Sequence, residues 1–355
     1  MQGRKAGTDD SRKAAAYIEN EYRQMGLQPF GSTYRHYFIM QAASLRGGAM
    51  PINPDSADYY AEHDRTVYCN LVGVIEGSDP ALKNEFIVVG GHYDHLGVRN
   101  GEVYNGADDN ASGTAAVTEM ARQLLVRRGE LKRSVIICAF DAEEMGLYGS
   151  KALSKEMARL GLIGKVKMMM SIDMVGWLKQ GKHLSFTGTG TLKDCVDMIK
   201  EVAAQTGVPV STRRFESSPF TATDTEPFAS KGVPTLAVTT GLKSPYHKPG
   251  DDPELIDYPG LSQVTDMLTA LTICMASDKQ PMVSTGKVAA KHRDARKLFE
   301  VSPAIGINST QAYLPGSTLQ PLSRTGFTGG VSTQWNFGKH FGAQADVLYE
   351  LAQAY

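Results

Sequence analysis

The chain has 355 residues, enough for one large or two ordinary domains with a sizeable buried core. Hydrophobic residues make up 42% and charged residues 21%, and the net charge of −1 excludes the electrostatic pull toward nucleic acid or anionic membrane that a basic domain exerts. The longest apolar runs, such as residues 135–140, are too short to cross a bilayer as a helix.

In chain order, Ala14, Ala15, Ile18, Tyr22 and Met25 recur at helical spacing, which predicts a helix over 9–25 stopped by Gly26. No signal peptide precedes Gly3, and the chain opens almost inside its first motif, as a truncated reading frame would. Residues 31–66 fit no regular pattern and are expected to hold a strand plus a loop insertion. Apolar, β-branched runs at 70–75, 86–90, 134–140, 168–172 and 234–239 predict strands. Helical stretches at 113–127, 148–160, 191–206 and 260–275 separate most of them. Apolar strands alternating with helices imply a mainly parallel sheet covered on both faces, a three-layer α/β/α domain over residues 1–278. The four cysteines, Cys69, Cys138, Cys195 and Cys274, form no Cys-x-x-Cys pair, which disfavours a structural zinc site or a redox pair.

Residues 279–296 are largely polar and read as a linker. From 297 to 355 the pattern alternates, with segments at 297–308, 326–337 and 341–349, the last two joined by a Gly-Lys-His turn. This predicts a short β-rich segment with antiparallel hairpins. The alternation is similar to strands of outer-membrane β-barrels, but such barrels need at least eight strands of about 9–11 residues. A closed pore is therefore excluded for this chain as given. The segment is expected to be either a small accessory piece or a fragment of a larger barrel, and membrane association follows only in the second case.

Ligands of an open parallel sheet gather at the carboxyl ends of its strands. Five polar clusters fall at or near such ends. They are Gly90-Gly91-His92-Tyr93-Asp94-His95, Asp108-Asp109-Asn110 before a helix, Asp141-Ala142-Glu143-Glu144, Asp173, and Tyr246-His247. Singly, each has a plain structural reading: a hydrogen-bonded histidine, a helix cap, a solvated first turn. Brought to one sheet edge, their carboxylates would repel one another unless cations neutralised them. Two imidazoles with three or more carboxylates suit zinc in a hydrolytic site.

These residues resemble the co-catalytic di-zinc aminopeptidase and carboxypeptidase family, which includes bacterial leucyl aminopeptidases and glutamate carboxypeptidase. The ligand order His, bridging Asp, Glu-Glu, Asp, His is all present. So are the flanking stretches Gly3-Arg4-Lys5-Ala6-Gly7-Thr8 and Asp224-Thr225-Glu226-Pro227-Phe228, although Thr225 stands where the family commonly has His. The resemblance covers about residues 1–275. It implies the zinc-exopeptidase fold and two zinc ions per chain. His92 and Asp173 would hold one ion, Glu144 and His247 the other, with Asp109 bridging because it directly precedes Asn110.

The resemblance also implies that Glu143 is the general base acting on a water held between the metals, and that Tyr246 stabilises the oxyanion. Asp94 would orient the His92 imidazole, and Asp224 would lie behind the ligands. His95 is expected not to be a ligand. The implied activity is that of an aminopeptidase acting on peptides with a free N-terminus, in a periplasmic or secreted setting. Two other readings are weighed: a glutaminyl-cyclase-like acyltransferase with one zinc, and a non-enzymatic binding module with none. Retention of both His92 and Asp173 speaks against the cyclase, and the intact ligand set with Glu143 against the binding module.

Overall fold

The computed structural model describes residues 2–41, 48–63, 65–215, 223–277, 282–286, 299–311, 323–336 and 342–351. The chain divides into two units, Met1–Ala290 and Lys291–Tyr355.

Helix α1 (Asp9–Gln24) starts where Thr8, in extended conformation, accepts a hydrogen bond from the Ser11 amide at 3.4 Å, with Asp9 and Asp10 complementing the positive end of the helix. It ends where Gly26 takes a positive φ of 75°. Strands β1 (Gln28–Pro29), β2 (Arg35–Met40) and β3 (Ala49–Pro51), helix α2 (Ala57–Glu62) and strand β4 (Val67–Ile75) follow. The strand expected within 31–66 is β2; residues 42–47 and 64 of that region lie outside the described residues. Next come β5 (Phe86–His92), a two-stranded ribbon of β6 (Gly97–Arg99) and β7 (Glu102–Tyr104), α3 (Gly113–Val126), β8 (Ser134–Phe140), α4 (Tyr148–Arg159) and β9 (Val166–Ile172). The unit is completed by α5 (Leu178–Gly181), β10 (Leu184–Thr187), α6 (Cys195–Thr206), β11 (Val210–Arg213), α7 (Glu226–Ala229), β12 (Thr235–Thr239) and α8 (Tyr258–Ala276).

Among the described residues, ten strands form one sheet in the order β11-β10-β12-β9-β5-β8-β4-β2-β3, with β1 also paired to β4. The central four, β12, β9, β5 and β8, are mutually parallel. Antiparallel pairings attach β4, β2 and β3 on one side and β10 on the other. Side chains alternate along the central strands between two cores. Val135, Ile137 and Ala139 of β8 pack with α1, α3, α6 and α8, whereas Ile136, Cys138 and Phe140 pack with α4 and Phe228 of α7. Both faces of the parallel centre are thus covered, which explains why its strands read as continuous apolar runs. The four cysteines are free thiols, and Cys138 is fully buried. No helix among the described residues is long and apolar enough to cross a membrane.

The first unit extends past the expected boundary at 278. Met282 is buried in its main core, Leu192 pairs with Ser284, and the Lys193 and Thr285 amides donate to the Val283 and Thr191 carbonyls at 2.9 and 3.0 Å. A polar composition hid this docked segment because one apolar side chain and a few backbone bonds anchor it. The same pairing holds Leu192 extended, so α6 begins at Cys195 rather than at 191. The remainder of the expected linker, 279–281 and 287–296, lies outside the described residues.

In the second unit β13 (Phe299–Gln311), β14 (Ser323–Asn336) and β15 (Gly342–Leu351) form an antiparallel sheet in that order. Phe327, Trp335, Val347 and Tyr349 are exposed on it. The expected Gly-Lys-His turn falls outside the described residues.

Candidate metal centre

Because β12, β9, β5 and β8 run in parallel, their carboxyl ends share one edge of the sheet. His92 closes β5 opposite Phe140, the last residue of β8, after which the chain runs through Asp141 to Glu144. Ile172 closes β9 beside Val238 of β12, and the next residue, Asp173, is fixed by donation of its amide to the Val238 carbonyl at 2.9 Å. Asp109 lies in the turn that leads into α3, and its peptide bond to Asn110 is cis. Ala142, Met174 and His247 all adopt left-handed backbone, with φ of 55°, 54° and 55°. That conformation costs non-glycine residues roughly 1–2 kcal/mol each. Each of the three is, or lies within two residues of, a member of the cluster.

His92 Nε2 lies 3.3 Å from Asp109 Oδ1, 3.5 Å from Asp173 Oδ1 and 3.8 Å from Glu143 Oε2. The other oxygen of Asp109, Oδ2, lies 3.3 Å from His247 Nε2, which is itself 3.1 Å from Glu144 Oε2. Asp109 therefore turns one oxygen toward each of two donor groups. His95, expected to stand apart, is in the second group: its Nδ1 is 2.7 Å from Glu144 Oε1 and 3.8 Å from Asp109 Oδ2. Among the described residues, donor atoms of His92, Asp109 and Asp173 lie within 4.8 Å of one another, as do those of His95, Asp109 and Glu144.

Several of these buried atoms have no hydrogen-bond partner in the protein, namely His95 Nδ1, Asp109 Oδ2, Glu144 Oε1 and Asp173 Oδ1. Buried polar atoms are rarely left so, and a set that converges without hydrogen-bond geometry fits divalent cations held by nitrogen and oxygen donors. The environment also drives the adjacent acids Glu143 and Glu144 apart. Burial, reinforced by Asp224, Asp173 and Asp94 against the pull of His92, raises the Glu143 carboxyl well above its ordinary range. Glu144 is lowered despite its burial, by His247 and His95. Such a divergence is the usual mark of two carboxylates with different tasks.

The supporting contacts differ in part from expectation. The carboxylate of Asp94 is 3.7 Å from His92 Nδ1, too far to orient the ring; the imidazole instead meets the main-chain carbonyl of Asp94 at 3.1 Å. The carboxylate accepts from the Glu143 and Glu144 amides at 3.0 and 3.3 Å, so it positions the Glu-Glu pair. Asp224 is fully buried behind the cluster, and burial raises its pKa to about 7 against the pull of His92. The Tyr246 ring stacks on His247 at 3.8 Å and is partly exposed. Asp108 points away from the donor groups; its Oδ1 accepts from the Gly176 amide at 2.8 Å and from Ser112 Oγ at 3.2 Å.

Three positioning residues escaped the sequence reading. Asp251 accepts from the Asp108 and Asp109 amides at 2.9 and 3.0 Å and so holds the turn that carries Asp109. The Asn110 side chain donates to the Ile172 carbonyl at 2.9 Å and accepts from the Gly113 amide at 2.9 Å, tying that turn to β9 and α3. The Arg4 guanidinium donates to the carbonyls of Tyr93, Asn105 and Gly106 at 2.8, 2.5 and 2.8 Å, pinning the His92 loop to the Asp109 loop. Only the place of Arg4 within the first motif hinted at its role.

The sequence profile of peptidase family M28 matches residues 70–272, more than half of the chain and the stretch that carries every residue of the two donor groups. The chain belongs to this family. It is similar to leucine aminopeptidase 1 of Uncinocarpus reesii, with 35% identity over 128 residues, which cover 33% of this chain and 31% of that one. This M28 chain thus spans about a third of the length of that curated relative. Among solved structures, BSAP, a zinc aminopeptidase from Bacillus subtilis, superposes with a TM-score of 0.57 at 18% identity, covering 79% of this chain and 93% of that one. A glutaminyl cyclase from an Acidobacteriales bacterium reaches 0.58 at 19% identity, covering 79% and 90%. Likeness at that identity speaks for a shared fold, which both activities use.

Proposed function

We propose that this M28 chain is a zinc-dependent aminopeptidase that removes N-terminal residues from peptides and holds two zinc ions. His92, Asp109 and Asp173 would hold one ion; Asp109, Glu144 and His247 would hold the other. The observation that carries this reading is the division of Asp109, one carboxylate oxygen toward His92 and the other toward His247. A single-metal site has no need of that arrangement, which weighs against the cyclase reading despite the shared fold. Zinc ions so held lower the pKa of water and polarise a scissile carbonyl.

The protein's own groups would do the rest. Glu143 is beside the ligands without entering either donor group, and its raised affinity for a proton suits a general base. It would accept a proton at Oε2 from the attacking water and return it to the leaving amine nitrogen. Burial and the surrounding carboxylates raise the Tyr246 pKa above its ordinary value, which keeps the phenol protonated as a donor toward a developing oxyanion. Glu143 and Asp173 retain 15% and 22% side-chain exposure. These carboxylates are the groups a free α-ammonium would meet, which is the physical basis for preferring unblocked N-termini.

The test pairs zinc analysis of the purified chain with a panel of aminoacyl-chromophore substrates and their N-acetylated counterparts. Two zinc ions per chain with cleavage of the unblocked substrates alone is expected. One zinc with cyclisation of N-terminal glutamine would establish the cyclase, and no zinc with no turnover a binding module.

A further inference from the structure

His95 is the one member of the two donor groups that the ligand set proposed above does not use. Its side chain is fully buried, and neither ring nitrogen makes a hydrogen bond. A buried imidazole left so would be costly unless something outside the protein completes it. Its contact with Glu144 does not do so. Nδ1 and Oε1 are 2.7 Å apart, yet both remain without a hydrogen bond, so the ring nitrogen is not directed at that oxygen. Asp109 Oδ2 is the third buried atom left unpartnered at this place.

The backbone holds the ring there deliberately. The His95 amide donates to the Arg4 carbonyl at 3.0 Å. Gly106, at φ 62°, lies so close that a Cβ there would come within 2.4 Å of His95 Cγ and 2.2 Å of the Asp109 carbonyl. Only glycine accommodates both that dihedral and that approach. The turn bearing Asp109 and the ring of His95 are therefore locked together.

The geometry points to His95 as a fourth protein ligand of the second zinc ion, through Nδ1, beside Asp109, Glu144 and His247. This inference rests on the two-zinc reading above. Its measure is the placement of the two imidazoles. The His95 and His247 ring centroids are 5.8 Å apart, with the rings inclined at 61°. With Zn–N bonds of about 2.1 Å, two imidazoles on one tetrahedral ion have centroids about 5–6 Å apart. Asp109 Oδ2 lies 3.3 Å from His247 Nε2 and 3.8 Å from His95 Nδ1, near the edge of about 3.4 Å for a tetrahedron of such bonds. His247, with its side chain 36% exposed, closes the open side of the site, and His95 closes the buried side.

The consequence is an asymmetric pair. The ion on His92, Asp109 and Asp173 keeps an open coordination position, as catalytic zinc does, whereas four protein ligands make the other resemble a closed, tightly held site. A chelator should remove the two ions from the whole chain in two phases, the slow one belonging to the His95 site.

X-ray absorption on the two-zinc wild-type chain counts imidazoles directly, and an average of 1.5 per zinc is expected. The His95→Gln variant should give 1.0, merge the two phases of zinc loss, and weaken binding of one zinc at least tenfold in chelator competition while sparing the other. An average of 1.0 in the wild-type two-zinc protein would overturn the inference and leave the two-zinc reading standing. Fewer than two zinc ions in the wild type would overturn the two-zinc reading itself. Should His95→Gln fail to fold, the wild-type count and its two phases still decide the matter.

Discussion

Replacing Glu143 by Gln separates proton transfer from metal binding. The side chain keeps its shape, and its amide keeps the hydrogen bond to Asp94 at 3.0 Å, so the loop is not disturbed. Its Oε2 is 3.8 Å from His92 Nε2, and Glu143 belongs to neither donor group, so two zinc ions should remain. Loss of a general base lowers kcat by about 10²–10⁴-fold, or about 3–5 kcal/mol in the barrier. The site's electrostatics add a second, independent consequence. Burial together with Asp224, Asp173 and Asp94 raises the folded-state pKa of this carboxyl. A raised acid pKa means the folded state binds the proton more tightly than the unfolded chain, whose value is about 4.3. Stability is then lost as pH rises above that value, and the glutamine variant escapes the loss. After zinc is stripped, the variant should melt at or above the wild-type temperature at pH 7.5, with the difference vanishing toward pH 4. Zinc content, turnover of an aminoacyl-chromophore substrate and melting curves check all three points. Near-normal turnover in a two-zinc variant would refute the assignment of the base.

Asp109→Ala should abolish binding of both metals, whereas Asp108→Ala should keep most zinc and lower Tm only, through its lost bonds to Gly176 and Ser112; metal analysis showing the reverse would place the bridge on the wrong residue. Asp251→Asn leaves an NH₂ facing one of the two amides that the carboxylate now accepts, a loss of about 1–3 kcal/mol that should lower both Tm and zinc affinity. An unchanged zinc affinity would show that Asp251 does not position Asp109. Truncation after Ala290 should leave cooperative melting and turnover intact, since every donor residue lies at or before His247. Truncation after residue 280 removes Met282 and its neighbours and should cost about 1–3 kcal/mol in thermal stability. If the 290-residue piece fails to melt cooperatively, the two units do not fold independently.

The centre of the fold was legible because burial on both faces leaves a strong trace. Ser134–Phe140 is apolar on both sides of the sheet, so its limits and those of its parallel neighbours stand out as unbroken runs. The short outer strands were poorly legible for the opposite reason. Leu184–Thr187 and Val210–Arg213 are four residues each, so the alternation of the first is too short to stand out and the second is partly exposed along its length. Strand β3 is only three residues long and is made by its pairing with β2 rather than by its own sequence.

The same distinction applies within the candidate site. That His92, Asp109, Glu144, Asp173 and His247 gather at one place was legible because residue type and position at or near a strand end are both displayed by the sequence. Asp251, Asp94 and Arg4 act on backbone groups: two amides of the Asp109 turn, two amides of the Glu-Glu pair, and three carbonyls of two separate loops. Which amide or carbonyl a side chain meets is decided only when the loops close on one another. His95 belongs to both classes. As a residue type two places after Asp94's neighbour Tyr93 it looks like an ordinary loop histidine. What marks it is a buried ring with no hydrogen bond, set against a glycine whose Cβ would collide with it. That combination arises from three separated segments, around Arg4, His95 and Gly106, and becomes visible only when they are packed together.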